Sequence, residues 1–252
     1  MASKPIVLIT GANQRIGFEV ARQLLSAGTH HVLLGARSPE KVEDAAQRLH
    51  SIIGPDPHLT TVVIDVTDDD SIQAAAQFLN HKFKKIDILI NNAGISGTTG
   101  PIASLPHREK YRAVFETNVF GTAAVIEAFL PLIRQSDYHD RRIVDVTSGL
   151  GQINVAYAPD SEYGAHQIEV PFYRASKAAL NMITAVYAVK LKKEGILVIT
   201  AAPGYTRTAF TEHQGYKDVS QGARNVVRAA TKGDPEKLYG TIVAEELTEY
   251  GW

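Results

Sequence analysis

Cysteine is absent from this 252-residue chain, and with it go disulfides, zinc–thiolate centres and thiol nucleophiles. Nothing in the composition asks for an oxidising compartment. An excess of either charge is also missing: 26 lysines and arginines stand against 27 aspartates and glutamates, a formal net charge of -1. No sequence-wide field therefore draws the chain to nucleic acid or anionic lipid. The apolar run Ile6–Ile9 is too short for a signal-peptide core and leads almost directly into Gly11, and no stretch approaches the roughly 18 consecutive apolar residues of a membrane-spanning helix. The expectation is a cytoplasmic protein that engages neither nucleic acid nor membrane. Nine histidines are scattered without a helical His-x-x-x-His or other ligand spacing, which speaks against a metal. There is no Gly-x-Ser-x-Gly elbow either, Ser148 standing in Val146-Thr147-Ser148-Gly149-Leu150, so a serine hydrolase is excluded.

What the chain does have is alternation. Short β-branched runs at 5–10, 31–35, 61–65, 86–91, 143–148 and 197–202 are separated by helical patterns, and strand alternating with helix requires a parallel sheet covered on both faces. Ser38-Pro39-Glu40 sets a cap before a proline at the first helical position. Thr67 followed by Asp68, Asp69 and Asp70 puts acceptors and negative charge on the free amides of the next helix. Longer helical patterns cover 106–129 and 173–194. Between the fifth strand and the second of these, 149–171 carries Pro159, Pro171 and three glycines with little periodicity. It reads as a long functional loop forming one wall of a substrate site. The whole is an α/β chain, a single Rossmann-fold domain over 1–252 with a doubly wound parallel sheet.

The first strand runs into Thr10-Gly11-Ala12-Asn13-Gln14-Arg15-Ile16-Gly17. Gly11 permits a tight turn, Gly17 lets the helix pack close to the strand, and the helix N-terminus offers amides to a pyrophosphate. A dinucleotide site then predicts a carboxylate after the second strand for the ribose of NAD, or an arginine for the 2′-phosphate of NADP. The chain has Gly35-Ala36-Arg37-Ser38 there, with no acid, and Arg15 supplies a second cation. Both point to NADPH/NADP+.

Reducing a carbonyl requires an acid beside the oxygen that receives the proton. Tyr173 and Lys177 lie one helical turn apart, and of the 10 tyrosines only Tyr173 has a lysine four residues on. The pair gains weight from position, since Ser148 ends the fifth strand and Asn91-Asn92-Ala93-Gly94 ends the fourth, at the sheet edge where the phosphate loop opens.

These residues together resemble the classical short-chain dehydrogenases/reductases from first strand to last, with an ending most like the carbonyl reductases. The resemblance rests on the Thr10 to Gly17 loop, Asp65-Val66, Asn91 to Gly94, Asn118, Ser148, Tyr173 with Lys177, and Pro203-Gly204 followed by Thr208. It implies a cofactor held by Gly11, Asn13, Gln14, Arg15, Ile16, Gly17 and Arg37, by Asp65 and Val66 at the adenine, and by Asn92, Ala93 and Gly94 along the central groove. Pro203, Gly204, Thr206 and Thr208 would face the nicotinamide carboxamide. It implies that Lys177 binds the nicotinamide ribose and depresses the Tyr173 pKa, that Tyr173 protonates the substrate oxygen, that Ser148 orients it, and that Asn118 kinks its helix and holds a relay water. Two departures stand out: Arg15 replaces the loop's middle glycine, and the 149–171 gap is long, similar in kind to the insertion of carbonyl reductases. That insertion leaves monomer and homo-oligomer equally open.

The substrate is expected to be a mainly apolar or aromatic carbonyl compound. Its site would be enclosed by residues after Gly94, by 149–171 and by a lid at 209–220 carrying Phe210, His213 and Tyr216, with Tyr157, Tyr163 and Tyr205 adding aromatic surface. The rival reading is an NADP(H)-binding sensor or scaffold, or a non-redox enzyme using the same pocket; loss of the tyrosine or lysine would mark it.

Overall fold

A computed structural model describes residues 4–244. Its strands are β1 (Ile6–Ile9), β2 (His31–Ala36), β3 (Leu59–Val63), β4 (Ile88–Asn91), β5 (Arg141–Val146), β6 (Ile196–Ala201) and β7 (Ile242–Val243). They form one sheet in the order β3-β2-β1-β4-β5-β6-β7, every neighbouring pair parallel. The helices are α1 (Arg15–Ser26), α2 (Pro39–Ile53), α3 (Asp69–Phe83), α4 (His107–Phe115), α5 (Gly121–Arg134), α6 (Ile153–Tyr157), α7 (Pro171–Leu191), α8 (Val219–Thr231) and α9 (Pro235–Leu238). This is the Rossmann fold, in which the chain order reverses between β1 and β4 and opens a crevice at the carboxyl ends of the strands.

Each face of the sheet buries its own apolar layer. Val7, Ile9, Val32, Leu34, Ile90 and Val144 meet α1, α2 and α8, while Leu8, Leu33, Leu89, Ile143 and Val198 meet α3, α5 and α7. The period-2 alternation of the strands divides between two apolar layers, so the strands read as continuous apolar runs.

The predicted caps form: Ser38 accepts from Lys41 N at the start of α2, and Asp68 from Asp70 N at the start of α3. Several boundaries differ from expectation, among them β5, which ends at Val146 and leaves Ser148 two residues beyond it, and β4, which begins only at Ile88. Strand β3 lies at Leu59–Val63, two residues earlier than the 61–65 run, because Asp65 is drawn into a turn in which its carboxylate accepts from Thr67 N and Oγ1. The 106–129 pattern is α4 and α5 joined through a π-turn at Glu116–Phe120, with Asn118 inside it. The 149–171 segment contains a 3-10 turn, Gly149–Gly151, and α6. The two-residue β7 is too short to leave a periodic signal. By length and mean hydropathy His107–Arg134 could cross a membrane; here Val125, Ile126, Phe129, Leu130 and Ile133 are buried in the core instead.

Candidate active site

The loop after β1 opens the site. Gly11 sits at φ 62, and a Cβ there would lie 2.8 Å from Ala93 Cα; at Gly17 it would lie 2.4 Å from Asn92 Nδ2 and 2.7 Å from Gly11 O. Both glycines are thus required by close approach. Asn92 holds this geometry: its Nδ2 donates to Thr10 O at 2.9 Å and Gly11 O at 3.1 Å, while Thr10 Oγ1 accepts from the amides of Asn92 and Ala93. Its amide group therefore locks the two loops together, and the Asn92 side chain is less available to a ligand than the resemblance implies. Arg48 of α2 braces the far side, donating to Asn13 O and lying over the Phe18 ring at 4.6 Å.

From this loop a cleft of about 1050 Å³ runs across the strand ends. Gly11, Asn13, Gln14, Arg15, Ile16, Arg37, Asp65, Val66, Asn92, Ala93, Gly94, Ser148, Tyr173, Lys177, Pro203, Gly204, Thr206 and Thr208 all line it. Gly17 and Asn118 do not, and act from behind. Asn118 is fully buried; its Oδ1 accepts from Ile95 N at 2.9 Å and its Nδ2 donates to Ile95 O at 3.0 Å and Ser176 Oγ at 3.1 Å. The π-turn thereby pins the segment after Gly94 to α7.

At the centre, Tyr173 and Lys177 face the cleft from the first turns of α7, and Ser148, two residues beyond the end of β5, caps the 3-10 turn Gly149–Gly151. Ser148 Oγ accepts from Leu150 N at 3.2 Å and faces the Tyr173 hydroxyl. Burial pushes the Tyr173 phenol well above its ordinary range, against the pull of Ser148. In this state burial outweighs that pull, and Tyr173 keeps its proton. Lys177 Nζ lies 5.8 Å from the Tyr173 ring centre and donates to Val146 O at 2.8 Å. Burial brings the Lys177 ammonium down to about 8, with Asp145 holding it up. Gly94 leaves room before this pair, since a Cβ there would meet Asn118 Oδ1 at 3.2 Å and Lys177 Nζ at 3.8 Å.

The 149–171 insertion and the 209–220 segment close the other end. Phe210 stacks edge-on to Tyr173 with centres 5.5 Å apart. Tyr163 and Tyr216 approach across the mouth at 3.4 Å between hydroxyls, and Tyr216 donates to Glu162 at 2.9 Å. Tyr163, Tyr205, Phe210 and Tyr216 line the cleft; Tyr157 and His213 do not, and Tyr157 is 84% exposed. Sequence reasoning missed Lys41, which lines the cleft with Arg37 from the first turn of α2. It also missed Arg174, whose guanidinium donates to Ile168 O at 3.0 Å, Leu150 O at 3.3 Å and Tyr163 O. Nothing local marks such a long-range tether.

Comparison with known proteins agrees with this geometry. Residues 5–218 match the family described as short chain dehydrogenase. The chain is 56% identical over 252 residues to Short-chain dehydrogenase anuI of Penicillium roqueforti (strain FM164), covering 99% of this chain and 98% of that protein. To Carbonyl reductase (NADPH) 1 of Mus musculus it is 27% identical over 283 residues, covering 98% and 99%. The crystal structure of NADPH-bound carbonyl reductase from chicken fatty liver superposes with a TM-score of 0.83 at 26% identity, with 100% of each chain covered.

Proposed function

The chain belongs to the short-chain dehydrogenase family, and on that premise we propose that it is an NADPH-dependent carbonyl reductase acting on an uncharged, mainly apolar or aromatic ketone or aldehyde. One observation carries the reading. A single cleft has the Ser148, Tyr173 and Lys177 side chains on its wall and, away from them, Arg15, Arg37 and Lys41 with no acid in the 35–38 turn.

The residues fit a nicotinamide dinucleotide. Gly11, Asn13, Gln14 and Ile16 line the cleft at the N-terminus of α1, whose free amides would receive a pyrophosphate, and Arg37 with Lys41 and Arg15 would hold a 2′-phosphate. When bound, NADPH supplies the hydride. The chain supplies the rest. Tyr173, kept protonated by burial, donates its phenolic proton to the substrate oxygen. Ser148 Oγ accepts from Leu150 N, which fixes the hydroxyl at the cleft wall, where it would donate to the substrate oxygen as negative charge develops. The Lys177 ammonium would hold the nicotinamide ribose and would offset charge on Tyr173 once its proton has left.

The substrate end combines Ile95, Leu150, Val170 and Phe210 packed around Tyr173 with Glu162, Glu169 and Glu212 along the lining. An apolar floor beneath a rim that also carries Lys217 favours neutral aromatic carbonyls.

The test is initial rates of NADPH oxidation with quinones, aromatic ketones and aldehydes, alongside NADH and a Tyr173→Phe variant. Turnover with NADPH that is much weaker with NADH and falls at least about a hundredfold in the variant is the expected result. Tight NADPH binding with no turnover across the panel would favour the sensor or non-redox reading.

A further inference from the structure

The register of β4, β5 and β6 sets Asn91 beside Asp145 and Asp145 beside Thr200, a polar row crossing the middle of the sheet. All three are buried, and Asp145 and Thr200 have no exposed surface at all. Polar groups in such a place are costly unless partnered. Among the described residues, Asn91 Oδ1 and the Thr200 hydroxyl have no partner, while the Asp145 carboxylate has two. Asn91 Nδ2 donates to its Oδ1 at 2.8 Å, and Thr184 Oγ1 to its Oδ2 at 2.7 Å. Two convergent donors suit a carboxylate that keeps its charge.

Its counter-charge lies on the same helix face as Thr184. Lys177 precedes Thr184 by seven residues, two turns of α7, and its Nζ rests on the carbonyl of Val146, the residue after Asp145. We propose that Asp145 is a positioning residue for Lys177: its buried negative charge, fixed by Asn91 and Thr184, keeps the Lys177 ammonium charged and seated at the end of β5. The inference rests on the role given to Lys177 above. Burial lowers Lys177 to about 8, and Asp145 is what opposes that fall. Reciprocally, burial holds the Asp145 carboxyl above its ordinary range, and Asn91, Thr184 and then Lys177 oppose that rise. The other titratable groups facing this region are Tyr173 and Tyr187 on α7; Tyr187 is hydrogen-bonded to Glu127 of α5, itself 3.5 Å from Lys190 at the exposed outer surface, where solvent screens it.

The experiment follows the lysine directly. In 13C-lysine-labelled protein without cofactor, the Lys177 Cε resonance, assigned by its loss in Lys177→Arg, is titrated from about pH 6 to pH 10. Asp145→Asn keeps a similar shape and removes the charge. Its Lys177 midpoint is expected at least about one pH unit below that of the unaltered protein. Thr184→Val, which removes one carboxylate donor, is expected to move it the same way by less. An unmoved midpoint in folded Asp145→Asn protein overturns the proposal and leaves Asp145 as a tie between strands and helix. If Asp145→Asn does not fold, Thr184→Val decides on the same criterion. NADPH fluorescence titration gives a second readout, with the alkaline loss of binding moving to lower pH in step with the lysine. Because the lysine titration needs neither cofactor nor substrate, its failure is distinct from failure of the reductase reading.

Discussion

Arg15 takes a left-handed φ of 54 at the entrance to α1, a conformation that costs a non-glycine residue about 1–2 kcal/mol. Two properties visible in the sequence thus meet at one position: the loop pattern that would ordinarily have glycine there, and a cation in reach of a phosphate. The backbone keeps the glycine conformation and the side chain adds the charge. Arg15→Gly should therefore relieve strain while making the unfolded chain more flexible, so stability changes by no more than about 1 kcal/mol. The preference for NADPH over NADH should fall about tenfold, the effect of roughly 1.4 kcal/mol lost from a charged contact. Thermal melts and the ratio of kcat/KM values check the two halves separately; an unchanged ratio would show that Arg15 does not face the phosphate. Side chains of this kind were legible beforehand because their chemistry is local. Asn92 was not, since only the fold reveals that its amide is engaged by Thr10 and Gly11.

At the level of elements, strands followed from periodicity and caps from residue type, and the differences arise where side-chain contacts, near or distant in the chain, override the periodic pattern. Asp65 turns β3 off early by bonding Thr67. The π-turn at Glu116–Phe120 buries Asn118 against Ile95 and Ser176, contacts 23 and 58 residues away that no helical pattern encodes. The insertion is the clearest case. Its composition reads as a loop, yet Arg174 gathers it by donating to the carbonyls of Leu150, Tyr163 and Ile168. Removing that donor set leaves three carbonyls to find water and frees the wall of the site. Arg174→Met should raise KM for carbonyl substrates several-fold with a smaller change in kcat, because the tether orders the substrate wall and touches none of Ser148, Tyr173 or Lys177 by hydrogen bond. Limited proteolysis gives an independent check: cleavage between Pro159 and Gln167 should accelerate in the variant. Equal cleavage rates would mean that the Tyr163–Tyr216–Glu162 contacts at the mouth hold the insertion by themselves.

For the molecule as a whole, the site is built against the stability of the fold that carries it. Lys177 is brought down to about 8 by burial, below the unfolded lysine value near 10.4. Between those pH values the unfolded chain binds more protons than the native one, so this residue's contribution to folding stability rises with pH from about 8 to 10. Cofactor binding responds in the opposite sense, because the ammonium that would hold the ribose is lost over the same interval. The cofactor-free protein should therefore gain thermal stability on going from about pH 7.5 to 9.5 by this route, while the increase in Tm produced by saturating NADPH at neutral pH shrinks. Melting curves with and without NADPH at fixed ionic strength measure both trends. An NADPH increment that stays constant through pH 9.5 would show that the charge of Lys177 is not used to hold the cofactor, and would leave its contact with Val146 O as the whole of its role.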